Sequence, residues 1–238
     1  MRIEALLFDV FGTCVDWRTG VARAVERSGI AADPHRFADH WRGLYQPAME
    51  RIRAEGRAYV DLDVLHRENL DATLAAFDRS LAPEAADELN RAWERLPPWP
   101  DVVPGLARLR ERFILAPCSN GSIALMTRLA RFAGLPWDAI LGAGIARDYK
   151  PKPAVYEASC AALRLPPERV LMVAAHNDDL HAAKACGLAT AFVPRPREHG
   201  PAQTSDLEPE GEWDVVAGDI EALADRLTQD AMRTSARD

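Results

Sequence analysis

The chain has 238 residues, 48% of them hydrophobic and 27% charged, with a net charge of −7. That is ordinary for a globular protein, long enough for one large α/β domain or a core with an inserted subdomain. The negative balance argues against nucleic acid or an anionic membrane as main partner, and no apolar run approaches the roughly 18 residues of a membrane span.

The N-terminus, MRIEALLFDV, runs straight into an apolar strand at 3–8, without the cationic region, apolar stretch and cleavage site of a secretory signal. At its end stands FDVFGT, with a carboxylate at Asp9 and a phenylalanine, Phe11, two residues later. From Trp17 to Pro98 strand signals nearly vanish and helical patterns dominate: VARAVERSGI, RFADHWRGLYQPAMERIRAEG, ENLDATLAAFDRS and EAADELNRAWERL. This predicts a helical cap over 17–98, inserted after the first strand of a core made of 1–16 and 99–238. LPPWPDVVPG at 96–105 is the Pro-rich return.

Buried strands follow at 112–118 (RFILAPC), 169–175 (RVLMVAA) and 189–193 (ATAFV), with weaker ones at 138–143 and 213–218. Continuous apolar runs with little alternation mark strands covered on both faces. Helices are expected between them, among them 122–134, stopping at Gly134, and 179–187, stopping at Gly187. The fold class is therefore α/β, a doubly wound, Rossmann-like parallel sheet with an inserted helical cap. The segment 194–212, rich in Pro and Gly, polar and acidic, predicts an irregular surface loop, and the last ten or so residues a frayed tail. Cys14, Cys118, Cys160 and Cys186 form no CxxC pair, which suits neither a zinc site nor a disulfide framework and fits a reducing cytoplasm.

Ligands of an open α/β sheet bind beyond the carboxyl ends of the strands. The polar residues that appear as apolar runs stop are Asp9, Ser119 with Asn120, and His176 to Asp179; Lys150 precedes a helix beginning near Pro153. FDVFGT, SNGS at 119–122, YKPKPAVY at 149–156 and AAHNDDLHAAKACGL at 174–188, in this order and behind an early cap, together resemble the haloacid dehalogenase superfamily, and more closely its L-2-haloacid dehalogenase branch.

Phosphatases of that superfamily carry a second acid where this chain has Phe11, and a magnesium-binding acid where it has Ala175. Both departures point away from phosphoryl transfer. The resemblance implies that Asp9 attacks C2 of a 2-haloacid, expels halide and forms an ester that water hydrolyses. It implies Lys150 as the cation beside Asp9, Thr13 and Ser119 as hydroxyls for the nucleophile or the substrate carboxylate, and Tyr156 as a further site residue. Arg42 of the cap and Asn120 would hold the halide, with Arg51 and Arg53 as rivals to Arg42. Asp179 would organise or activate the water.

The branch's best-known members have Ser and Asn where this chain has Ala174 and His176. His176 could position water, act as base or accommodate a small halide. Trp17, Trp41 and Tyr45 are candidates for an apolar pocket lining or plain cap core. No metal and no cofactor is implied. The expected partner is a small haloacid, and family members are often dimers, which implies a homodimer. Three rivals stand beside this reading: a relative opening a strained-ring amino acid, a Mg²⁺-dependent phosphatase, and a silent binding protein.

Overall fold

The computed structural model describes residues 3–235. Six parallel strands form one sheet in the order β3-β2-β1-β4-β5-β6. They are β1 (Ala5–Phe8), β2 (Ile114–Ser119), β3 (Leu141–Gly142), β4 (Val170–Ala174), β5 (Ala189–Phe192) and β6 (Val215–Val216). The two weaker strand candidates shrink to the two-residue β3 and β6 at the sheet edges. In place of the rest of 138–143, a short helix, Ala143–Ala146, begins.

β1 lies at the centre, with Phe8 paired to Pro117 on one side and Val173 on the other. Chain order runs outward from β1 through β2 to β3, then restarts at β4 on the opposite side. This reversal between β1 and β4 opens a crevice at the carboxyl ends of the strands. Apolar layers cover both faces of the sheet, Leu6 and Phe8 facing one and Ala5 and Leu7 the other. The alternation is hidden in sequence because both faces are buried.

Between β1 and the core helix at Val102–Arg110 lie α1 (Trp17–Arg27), α2 (Pro34–Gly43), α3 (Tyr45–Ala54), α4 (Leu62–Ala76) and α5 (Pro83–Asn90). The long helical pattern at 36–56 is two helices. Pro47 has no N–H to give the carbonyl of Gly43, so the ladder breaks there and α3 starts afresh. Trp17, Trp41, Trp93 and Phe37 are buried at the centre of this helical layer. The two chain crossings into it run side by side: Val15 bridges Pro98, Asp16 N–H donates to Pro97 O, and Trp99 N–H donates to Cys14 O.

Core helices follow the expected signals closely. Ser122 caps Ile123–Ala133 by accepting from Leu125 N–H, and Gly134 ends it at φ 70°. The helix expected at 179–187 begins earlier, at Asn177, and runs to Ala185. This places Asp178 and Asp179 inside its first turn, neither of them at the cap position. The backbone stays helical over Ile220–Ser235, into the expected tail, whose final three residues lie outside the described ones.

Candidate active site

Asp9 is the first residue beyond β1, and its backbone N–H donates to Val173 O, so its side chain leaves the sheet at the crevice. Only 7% of it is exposed. Oδ1 accepts from Lys150 Nζ at 2.8 Å. Oδ2 accepts from the Thr13 hydroxyl at 2.7 Å and faces His176 Nδ1 at 3.2 Å. Burial alone would raise the Asp9 pKa. Lys150 and His176 outweigh it and hold the carboxyl well below the usual range, so the carboxylate is ionised.

Lys150 Nζ also donates to Asp179 Oδ2 at 2.5 Å, while Asp179 Oδ1 accepts from the Tyr156 hydroxyl at 2.5 Å. Burial opposes the ammonium, but the two carboxylates override it and keep Lys150 protonated. Burial and the neighbouring Asp9 push the Asp179 carboxyl above its ordinary range against the pull of Lys150. Asp179 is buried and Asp178 exposed, so Asp179 is the member of the acidic pair that turns inward.

Asn120 is fixed from both ends. Its Oδ1 accepts Lys150 N–H at 2.6 Å, and its Nδ2 donates to the Tyr45 hydroxyl at 2.8 Å. The Arg42 guanidinium stacks over the Tyr45 ring at 3.9 Å from the centroid, with Trp17 at 5.6 Å, and its buried Nε has no hydrogen-bond partner among the described residues. A cavity of about 310 Å³ is lined by Asp9, Arg42, Tyr45, Asn120, Lys150 and His176, among others.

Six of the nine residues singled out from sequence therefore meet at one cavity: Asp9, Arg42, Asn120, Lys150, His176 and Asp179. Thr13 and Tyr156 stand behind it, each hydrogen-bonded to a carboxylate of the group. Ser119 is buried, its Oγ accepting Gly121 N–H. The rivals to Arg42 lie elsewhere: Arg51 is exposed, and Arg53 binds Asp148 and the Tyr149 carbonyl. Trp41 is cap core, its indole N–H donating to His66 O.

One participant was not found by reading the sequence. Glu198 lies in the segment expected to be a surface loop, yet it is 1% exposed. Its Oε2 meets His176 Nε2 at 2.9 Å and its Oε1 accepts the Trp17 indole N–H at 3.0 Å. Arg195 of the same segment is also buried, donating to Thr13 O and forking onto Asp101. From 201 to 212 the segment is largely exposed, as expected.

The site suits an ammonium better than Mg²⁺, which takes near-octahedral oxygen ligation. Lys150 Nζ bonds both carboxylates, and Ala175 has no acid to offer. The trio His176, Glu198 and His199 has its ligand-type atoms within 4.8 Å of one another. Their spacing is that of hydrogen-bonded and ionic pairs, each imidazole facing a different Glu198 oxygen.

The family described as haloacid dehalogenase-like hydrolase matches residues 3–187, from before β1 to the end of the motif behind β4. The chain belongs to this family. It is 32% identical over 197 residues to an (S)-2-haloacid dehalogenase of Xanthobacter autotrophicus, covering 81% of this chain and 76% of the relative. Among solved structures, a defluorinating L-2-haloacid dehalogenase superposes with a TM-score of 0.92 at 49% identity, over 95% of each chain. A second L-2-haloacid dehalogenase gives 0.91 at 44% identity, over 95% of this chain and 99% of the other. In this haloacid dehalogenase-like hydrolase the cap helices α2 and α3 supply Arg42 and Tyr45; Asp9 and His176 come from just beyond β1 and β4, Asp179 from the first turn of the helix at Asn177–Ala185, and Lys150 from the loop ahead of the helix at Pro153–Leu163.

Proposed function

We propose that the chain hydrolyses short L-2-haloalkanoic acids to D-2-hydroxyacids and halide, with haloacetates as the achiral case, through an ester on Asp9. The observation that carries this is the pairing of a buried, ionised Asp9 with the Lys150 ammonium, where position 11 has no acid.

An Asp9 oxygen attacks C2 and the C–X bonding pair leaves with the halide. Negative charge grows on the halogen in a cavity walled by the Arg42 guanidinium and the Asn120 amide, and both stabilise it before water does. The unpartnered Arg42 Nε and the stack on Tyr45 support this placement. Thr13 and Lys150 keep the nucleophile aimed, and the buried Ser119 stands behind the cavity, where its Oγ accepts Gly121 N–H and steadies the turn that carries Asn120. Water then adds at Cγ of the ester and gives one proton to a base; the bond from Cγ to the oxygen carried by C2 breaks, that oxygen leaves as the hydroxyl of the product with the other water proton, and the water oxygen stays on Asp9.

In this reading residues 17–98 form a cap that selects the substrate over a core of 1–16 and 99–238. The four thiols stay reduced in the cytoplasm, and the working form is a homodimer. No helix is long and apolar enough to cross a membrane among the described residues.

The test is halide release from L-2-chloropropionate in excess EDTA, beside a folded Asp9→Asn variant. Release by the wild type alone is expected. No release from folded wild type sinks the reading, and EDTA-sensitive release of phosphate from phosphate esters, or opening of a strained-ring amino acid, would replace it.

A further inference from the structure

We propose that Glu198 is a positioning residue that fixes His176 with Nδ1 aimed at the Asp9 carboxyl, so that His176, and not Asp179, takes the proton of the water that hydrolyses the aspartyl ester. The proposal rests on the dehalogenase reading and names the base which that reading leaves open.

Asp179 is poorly placed for the task. Each of its oxygens already accepts a short hydrogen bond, from Lys150 Nζ and from the Tyr156 hydroxyl. Taking a proton would neutralise the carboxylate that holds the Lys150 ammonium in place. On the other side of Asp9, His176 Nδ1 lies 3.2 Å from Oδ2, within reach of a water attacking Cγ.

An imidazole is a useful base at Nδ1 only if its remaining proton sits on Nε2. Glu198 secures that arrangement. Its Oε2 is 2.9 Å from Nε2 and, as a carboxylate, can only accept. Its Oε1 is committed to the Trp17 indole N–H, so the carboxylate cannot turn away. A buried carboxylate is expensive unless it is paired, and His176, Trp17 and the more distant His199 are the groups that pair this one.

The FDVFGT turn independently makes room for it. Gly12 has φ 92°, and a Cβ there would fall 2.1 Å from Glu198 Oε1. The glycine of FDVFGT thus lets Glu198 approach the backbone three residues from the nucleophile. The segment is anchored as well: Glu198 N–H donates to Arg195 O, and Arg195 donates to Thr13 O.

The proton count closes. In the resting site Asp9 and Glu198 both face His176, and together they overcome burial to keep it protonated. Esterification neutralises Asp9, and the Nδ1 proton leaves to solvent with the halide. His176 then takes a proton from the attacking water, and ester cleavage restores the Asp9 carboxylate beside it. Each turnover consumes one water and releases one halide and one proton.

The experiment is rapid-quench halide release from L-2-chloropropionate, with intact-protein mass spectrometry, on wild type, Glu198→Gln, His176→Ala and the double variant. In Glu198→Gln the amide oxygen faces Trp17, so the NH₂ faces Nε2 and forces the remaining proton onto Nδ1. Expected are one halide per site at near wild-type rate, then turnover slowed at least about 100-fold, with the carboxyethyl ester accumulating on Asp9. His176→Ala accumulates the same adduct, and the double variant is no slower than His176→Ala, because Glu198 acts through His176. A merely structural Glu198 would slow the burst and the turnover together.

Glu198→Gln turnover within about twofold of wild type, or a burst that falls in step with turnover, overturns the proposal. So does a folded His176→Ala that carries no adduct, which decides the matter even where Glu198→Gln does not hold its fold. Wild type that releases no halide fails the dehalogenase reading instead.

Discussion

Replacing Lys150 by Met keeps an unbranched stem and removes the ammonium that joins two buried carboxylates, Asp9 at 2.8 Å and Asp179 at 2.5 Å. At an effective dielectric of 20 the 2.8 Å pair attracts with about 6 kcal/mol. Much of that offsets the desolvation of three charged groups, and the net loss on orphaning a buried charge is about 3–5 kcal/mol. His176 still faces Asp9 and Tyr156 still donates to Asp179, so the low end is expected. For a chain of this size about 3 kcal/mol lowers Tm by roughly 6–12 °C.

The pH dependence has a definite sign. Wild-type Asp9 is held below its unfolded value of about 3.9 by Lys150 and His176 against burial, so its contribution is present above that value and lost on acidification. Without the ammonium, burial raises Asp179 further and pulls Asp9 upward, and their contributions are lost as pH rises. The Tm gap between variant and wild type is therefore widest near about pH 8 and narrows toward about pH 5. Thermal unfolding across that range, with halide release, is the assay. About 3–4 kcal/mol felt in the barrier slows halide release roughly 10²–10³-fold. A gap that is flat with pH, or release within tenfold of wild type, would refute the reasoning.

Two further substitutions probe the walls of the cavity. Arg42→Lys keeps the charge but loses the planar stack on Tyr45, and halide release should fall by about tenfold to a hundredfold with little change in Tm; unchanged kinetics would remove Arg42 from the halide cradle. Gly12→Ala places a Cβ against Glu198 at φ 92° and should cost about 1–3 kcal/mol. It should also slow ester hydrolysis more than ester formation, read from the ratio of burst to steady-state halide; equal slowing would show that the clash does not act through Glu198.

The groups named from sequence that the structure brings to one cavity share one property. Asp9, Asn120, His176 and Asp179 each follow a strand whose apolar run stops abruptly, and a parallel sheet delivers all such ends to one edge. Lys150 was marked by its place just ahead of the helix at Pro153–Leu163. Arg42 was harder, since it shared one apparent helical pattern with Arg51 and Arg53, and the break before Pro47 puts those rivals on a separate helix, α3. β3 and β6 were overdrawn because an edge strand has few partners, and local composition does not say how many residues pair.

Glu198 was invisible for a different reason. PRPREHGP has the composition of a solvated turn, and nothing local distinguishes Glu198 from its exposed neighbours. Its burial is decided by Trp17 from the cap, Gly12 from FDVFGT and His176 from behind β4, three segments outside its own loop.

That convergence explains why the segment after β5 matters to a nucleophile at the end of β1. Thr13 donates to Asp9 Oδ2 and accepts from Ala175 N–H, so the loops behind β1 and β4 are locked through one hydroxyl. Its carbonyl is held by Arg195, whose guanidinium forks onto Asp101 at 2.8 Å for each bond. Asp101 in turn accepts Ile220 N–H at the start of the last helix. Arg195 thus ties the nucleophile loop to the core, and Glu198, three residues on, carries the same anchorage to His176. The Lys150 side of Asp9 keeps the carboxylate charged for attack on carbon. The Glu198 side orients the group that reaches its Cγ once that charge is gone. A single carboxylate can serve both half-reactions because its two oxygens face different, separately anchored partners.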